Sequence, residues 1–355
     1  MYRAYDTALL DLDGVVYTGG EAVPHAVEAL AVARAEGMAS AYVTNNASRT
    51  PATVAEHLTR LGVAADPEEV VTSAQAVARL IAEAVPAGAR VLCAGGEGLR
   101  VALRERGLLP VESADEDPAA VVQGYGGPEM PWGRLVEAAL AVNRGVPWFA
   151  SNLDATIPTP RGVAPGNGAA VEVVRIASGG IRRPTAAGKP LPPMHRETIL
   201  RTGARRPLVV GDRLDTDIEG AWRGGVDSLL VMTGVTDAAR LVTAAPEHRP
   251  TYIAADLRGL LVPHPAVGIT SDGTAECGAW RSRVREGRPV LERVPEVPDG
   301  EAGTDRWDGL RALCAAVWAV ADVAPGPVAD GAVTSSVTEA LERLGFAPAP
   351  GASRS

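Results

Sequence analysis

The decapeptide Thr7-Ala8-Leu9-Leu10-Asp11-Leu12-Asp13-Gly14-Val15-Val16 decides how the rest of the chain is read. An apolar run, read as a strand over 7–16, ends in a cluster of acids. Strand alternation puts Asp11 and Asp13 on the same side of the chain as it leaves a sheet. The carboxyl-terminal edge of an open α/β sheet is where such folds bind ligands. Gly14 supplies a turn that side-chain-bearing residues resist. Two carboxylates so placed can divide the work, one as nucleophile and metal ligand, the other transferring a proton. Taken alone, the segment also reads as solvated acids in a turn.

Outward from this stretch, short apolar runs alternate with amphipathic ones, the pattern of a parallel sheet with crossover helices. A helix is expected over 24–36, a strand over 41–44, a helix from Thr50-Pro51 to Gly62 and a further helix over 70–84. The same rhythm then starts again, with strands at 90–94, 120–124 and 147–151 and helices at 99–106, 132–144 and 169–177. A Pro/Gly-rich loop is expected over 156–168. From 190 the first pattern resumes: helix 190–202, strand 207–211, short helix 218–223, strand 228–233. The first and third blocks are each too small to close a sheet. They read as one α/β core, residues 1–80 and 185–262, interrupted by an α/β insert, 81–184. Past Leu261 the character changes to a meander over 267–294 and helices over 307–320 and 336–344, a small α+β unit spanning 263–355. The tail 345–355 reads as frayed.

Three later segments complement the first. Thr44-Asn45-Asn46 closes the second strand with a hydroxyl and successive N–H groups, which suit a phosphate. Gly188-Lys189-Pro190 sets a cation before a helix, where it can neutralise both a carboxylate and a phosphoryl group. Gly211-Asp212-Arg213-Leu214-Asp215-Thr216-Asp217 again places acids past an apolar strand, as expected for hard oxygen ligands to Mg²⁺. Asp215 reads either as part of that set or as a turn residue or N-cap of the helix that follows.

In the order DLDGV, TNN, GKP, GDRLDTDI, these segments resemble the four motifs of the haloacid dehalogenase superfamily of phosphatases. The insert is similar to the large α/β cap of its 4-nitrophenylphosphatase-like subfamily. The likeness covers about residues 5–260 and implies a Rossmann-like core with an inserted cap. It implies Asp11 as nucleophile forming an aspartyl phosphate, Asp13 as acid and base, and Lys189 tying Asp11 to the transferring group. Thr44, with the N–H groups of Asn45 and Asn46, would hold the phosphoryl oxygens. Mg²⁺ would be held by Asp11, the Asp13 carbonyl and Asp212, with Asp217 as a further ligand or anchor. The cap stretch Asn152-Leu153-Asp154 resembles the family's substrate-facing segment. The appended unit resembles a degenerate acetyltransferase fold, and with it comes a branch whose implied substrate is glycerol 3-phosphate. Pyridoxal phosphate, phosphoglycolate and nucleoside monophosphates stay open as substrates. So does a protein that only senses a phosphorylated metabolite. Cap contacts in relatives imply a homodimer.

Composition bounds these readings. The 355 residues suffice for two to three domains, and 46% hydrophobic with 22% charged residues is a globular balance. A net charge of −9 opposes binding to nucleic acid or anionic membranes while permitting a small anionic substrate. No apolar run is long enough to span a bilayer. Asp6, Asp11 and Asp13 stand where a signal peptide would need its apolar stretch, so the expected address is the cytoplasm. Cys93, Cys277 and Cys314 lie far apart and read as reduced packing residues. After Leu261 there is no R/Q-x-x-G-x-G/A turn of the kind that receives the pyrophosphate of acetyl-coenzyme A.

Overall fold

The computed structural model describes residues 1–159, 161–294, 306–323 and 330–346. Three sheets organise them. The first has six parallel strands in the order Tyr252–Ala254, Asp227–Val231, Pro207–Gly211, Thr7–Leu10, Ala39–Thr44, Val70–Thr72. Its two halves come from opposite ends of the interrupted sequence, and the Thr7–Leu10 strand lies between them. Such a central strand is covered on both faces and reads as a continuous apolar run; all four of its residues are buried. This is the Rossmann-like core of an α/β protein.

The second sheet, also parallel, runs Thr185–Ala186, Trp148–Ala150, Ala120–Gln123, Arg90–Ala94, Leu109–Val111. It lies in sequence between the halves of the first and extends two residues past the expected boundary at 184. The third sheet is an antiparallel meander of Gly268–Ile269, Ala275–Cys277, Trp280–Arg285 and Arg288–Arg293, covered by helices Arg306–Val323 and Asp330–Arg343. Among the described residues, no helix is long and apolar enough to cross a membrane.

Several expectations are corrected. The first strand stops at Leu10, because the chain turns at once: the Leu12 carbonyl accepts the N–H groups of Val16 and Tyr17, and Gly14 takes φ 86°. Leu12, Val15 and Val16 are buried all the same, which is why they look strand-like. The helix expected over 70–84 is a strand, Val70–Thr72, followed by a helix, Ser73–Ala84. Val70 and Val71 pair with the core sheet. Thr72 then caps the helix through a reciprocal pair with Gln75, whose N–H reaches the Thr72 hydroxyl at 3.3 Å and whose Oε1 takes the Thr72 N–H at 2.9 Å. The loop over 156–168 contains a hairpin, Thr156–Thr159 with Gly162–Pro165. The strands Leu109–Val111 and Tyr252–Ala254 carry too few residues to announce a period. The tail read as frayed falls beyond residue 346, outside the described residues, apart from Gly345 and Phe346.

Candidate active site

Parallel register brings the acidic loops together. Leu10 pairs with Val210, so Asp11 and Gly211-Asp212 leave the sheet side by side, and the Asp11 N–H bonds the Val210 carbonyl at 2.9 Å. A π-helical turn, Leu214–Ile218, then carries Asp217 back to the strand end. Gly211 makes room for it: a Cβ there would lie 2.1 Å from the Asp217 Cβ. One carboxylate oxygen each of Asp11, Asp212 and Asp217 lies within 4.8 Å of the other two.

Lys189 reaches into this acidic cluster. Its Nζ donates to Asp11 Oδ1 at 2.5 Å, Asp217 Oδ1 at 2.7 Å and the Val43 carbonyl at 3.1 Å. Burial works to lower the ammonium, but the charges of Asp11 and Asp217 outweigh it and raise it. Burial drives the Asp212 carboxyl up to about 7, with the Asp11 and Asp217 charges adding to it. Burial likewise pushes Asp217 to about 6 against the pull of Lys189, and raises Asp11. Three carboxylates facing one ammonium are short of positive charge. Asp212 Oδ1 is moreover buried with no protein partner, although its Oδ2 accepts the Val235 N–H at 2.7 Å. An all-oxygen donor set with an orphaned oxygen fits a hard divalent cation.

The other expected residues divide into two groups. Asp13 stands exposed at the rim. Desolvation by the surrounding chain raises its carboxyl, while Arg49, Lys189 and a hydrogen bond from the Tyr17 hydroxyl hold it down. Thr44 is buried at its strand end, and its hydroxyl accepts the Asn46 N–H at 3.1 Å. The Asn46 side chain folds back on Ser48 and Arg49. Asn45 and the cap residues Asn152 and Asp154 chiefly contact one another. Asn152 is buried, and its Nδ2 reaches the Asn45 carbonyl at 2.7 Å. The Asn45 Nδ2 meets both Asp154 oxygens, at 3.2 and 3.1 Å. Asp215 caps no helix; its carboxylate takes the Arg213 guanidinium at 3.2 and 3.0 Å. Arg213, Asp215, Asp154, Thr156 and Lys189 line a cavity of about 370 Å³ between the cap loop and the core.

Reading the sequence missed Tyr17 and the 233–236 loop. The Thr233 hydroxyl donates to the Gly14 carbonyl at 2.5 Å, and Val235 holds Asp212. Tyr17 gives no local signal, whereas a Thr-Gly pair directly after an apolar strand could have flagged the loop. Cys93, Cys277 and Cys314 are buried free thiols, as expected. Among the aromatic residues of the insert, Trp148 and Phe149 are buried, while Trp132 is largely exposed.

A doubly covered parallel sheet with acidic loops and a lysine at its carboxyl edge, interrupted by an α/β insert, is the architecture of a hydrolase class to which the sequence can be matched. Residues 8–109 match the haloacid dehalogenase-like hydrolase family, 186–260 match a second model of such hydrolases, and 277–346 match a GCN5-related N-acetyltransferase-like domain. The chain belongs to the haloacid dehalogenase-like hydrolase family and is a phosphatase of it.

Among its relatives is a D-glycerol 3-phosphate phosphatase of Mycobacterium tuberculosis, 42% identical over 343 residues, covering 96% of this chain and 94% of the relative. An acid sugar phosphatase of Staphylococcus saprophyticus is 37% identical over 262 residues, 73% of this chain and 97% of the relative. The solved glycerol phosphate phosphatase of M. tuberculosis in complex with magnesium superposes with TM-score 0.79 at 41% identity, covering 90% of this chain and 92% of that one. Its complex with calcium gives 0.82 at 39% identity, covering 98% and 99%.

Proposed function

We propose that the chain is a Mg²⁺-dependent phosphomonoesterase acting through an aspartyl phosphate, with glycerol 3-phosphate as its substrate. The observation that carries the reading is the meeting of Asp11, Asp212, Asp217 and Lys189 at one sheet edge, with Asp212 Oδ1 unpartnered. The similar enzyme crystallised with magnesium supports both the metal and the substrate.

Asp11, Asp212 and Asp217, with the Asp13 carbonyl, would hold the cation, which when bound supplies the positive charge that phosphoryl transfer needs. A carboxylate oxygen of Asp11 attacks phosphorus. The bond from phosphorus to the ester oxygen breaks, and Asp13 gives its proton to the departing alkoxide. Asp13, now a carboxylate, takes a proton from water as that water attacks the same phosphorus. The bond from phosphorus to the Asp11 oxygen breaks, inorganic phosphate leaves and both acids are restored. Lys189 balances the Asp11 charge, and Thr44 together with the N–H of Asn45 faces the phosphoryl oxygens. The cavity beside Lys189 receives the polyol.

The test is phosphate release from glycerol 3-phosphate with and without Mg²⁺, in the wild type and in Asp11→Asn and Asp13→Asn. Release that requires the metal and disappears in both variants is expected. Undiminished turnover in Asp11→Asn rejects the mechanism. Release from pyridoxal phosphate or phosphoglycolate in preference to glycerol 3-phosphate rejects the substrate but not the chemistry.

A further inference from the structure

Asn45 makes more side-chain contacts than a phosphate-facing residue needs. Its carboxamide grips Lys189 by both backbone groups: Oδ1 accepts the Lys189 N–H at 2.8 Å and Nδ2 donates to the Lys189 carbonyl at 3.1 Å. The same Nδ2 faces both carboxylate oxygens of Asp154, which lies 109 residues away in the cap. The Asn45 carbonyl accepts two more donors, Ser73 Oγ at 2.6 Å and the cap's Asn152 Nδ2 at 2.7 Å. Gly188 belongs to the same junction, because a Cβ there would lie 2.6 Å from Asn45 Oδ1 and 2.8 Å from the Asn152 Cβ.

The junction extends along the loop. The Ser48 carbonyl accepts the Gly98 N–H at 2.9 Å in the first turn of the cap helix Glu97–Glu105. A Cβ on Gly98 would approach the Arg49 carbonyl oxygen to 2.3 Å, so only glycine lets core and cap come this close. A single loop of the core thus holds the cap at two places, and one side chain of that loop fixes the backbone of the lysine that meets Asp11.

We propose that Asn45 is a positioning residue that couples docking of the cap, through Asp154, to placement of Lys189 against Asp11. The catalytic consequence rests on the phosphatase reading above; the coupling itself does not. The amide is suited to the task because it donates to a carboxylate and a carbonyl while accepting from an N–H, which an aspartate of the same shape cannot do. Asp154 in turn lines the cavity beside Lys189, so docking of the cap and completion of the pocket are one event.

The test is a double-mutant cycle of Asn45→Asp and Asp154→Asn in the full chain, read in kcat and KM with 4-nitrophenyl phosphate and in thermal stability. Asn45→Asp sets two carboxylates against each other and is expected to lower kcat/KM by about 10- to 100-fold, the range for losing a hydrogen bond to a charged group. Adding Asp154→Asn restores a donor to that contact in reversed polarity and is expected to recover several-fold of the loss and part of the melting temperature. A residue that merely packs would give additive losses. A double variant no better than Asn45→Asp in either readout overturns the proposal, as does Asn45→Asp with wild-type kinetics. Where Asn45→Asp does not fold, recovery of folding in the double variant still reports the coupling. A wild type without phosphatase activity refutes the function proposed above and leaves the stability cycle to decide the coupling.

Discussion

Gly234→Ala is a single-methyl perturbation aimed at the placement of Asp212. A Cβ on residue 234 would lie 1.9 Å from Asp212 Oδ2, 2.4 Å from its Cγ and 2.7 Å from its Cβ. Non-bonded carbon and oxygen atoms settle at roughly 3.4 Å or more, so the carboxylate must retreat by about 1.5 Å or the 233–236 loop must move by as much. Either route breaks the 2.7 Å bond from the Val235 N–H to Oδ2. Misplacing a reacting group by about 1 Å costs on the order of 100-fold in rate. Overpacking a filled interior costs about 1–3 kcal/mol of stability. We therefore expect kcat with 4-nitrophenyl phosphate to fall by about 100-fold and the Mg²⁺ concentration for half-maximal rate to rise, with the protein still folded. The assay is a Mg²⁺ titration of turnover beside a urea melt. Gly133→Ala serves as the control, because a Cβ there meets nothing within 4 Å. Wild-type kcat and Mg²⁺ dependence in Gly234→Ala would refute the claim that this loop fixes Asp212.

Three further outcomes follow from the same geometry. Because burial and mutual charge raise Asp212 to about 7 and Asp217 to about 6, the metal-free fold holds protons that the unfolded chain has released. The stability these groups lend is complete below about pH 4 and is lost as pH rises through 6 to 7. Mg²⁺ should therefore raise the melting temperature more at pH 8 than at pH 5.5, and an increment independent of pH counts against the site. Glu197→Gln should cost about 3–5 kcal/mol in a urea melt, because the fully buried carboxylate is the shared acceptor of Arg79, Arg106 and Arg201; a loss under about 1 kcal/mol contradicts that role. Leu313→Ala empties a fully buried position in the apolar cluster shared by the core and the C-terminal helices and should cost about 2–5 kcal/mol, measured the same way.

What the sequence made legible depended on how local the cause was. Asp11, Lys189, Asp212 and Asp217 lie at strand ends or helix starts, where a short apolar run fixes the exit point. Their convergence follows from parallel register, and reading the motifs in order was enough to anticipate it. The sequence assigns the Asn45 N–H to the phosphate and Asn152 and Asp154 to the substrate, and gives no hint that the side chains of these three residues also join core to cap. That pairing joins positions more than 100 residues apart and leaves no trace in either neighbourhood. Asp215 was ambiguous for a related reason, since an acid before a helix reads as a cap until a π-helical turn places Arg213 against it. The strand Val70–Thr72 was hidden by its helix, because β-branched residues joined to a good helix former give one continuous apolar pattern.

The C-terminal unit shares its apolar packing with the elements beside the site. The short helix Ala238–Val242 shares an apolar cluster with Leu310, Leu313 and Cys314 of one C-terminal helix and Leu341 and Leu344 at the end of the other. The cluster also takes in Leu214 and Ile218, which flank the turn that carries Asp217. The helix begins directly after the 233–236 loop, whose N–H groups at Val235 and Thr236 hold the Asp212 carboxylate and carbonyl. The unit also touches the edge strand of the core sheet, where Arg311 donates to the Ile253 carbonyl at 2.6 Å. An edge strand left bare offers unpaired backbone groups to any passing chain. A unit that packs on the helix following the 233–236 loop, within one apolar cluster with Leu214 and Ile218, restrains the two turns from which Asp212 and Asp217 are held.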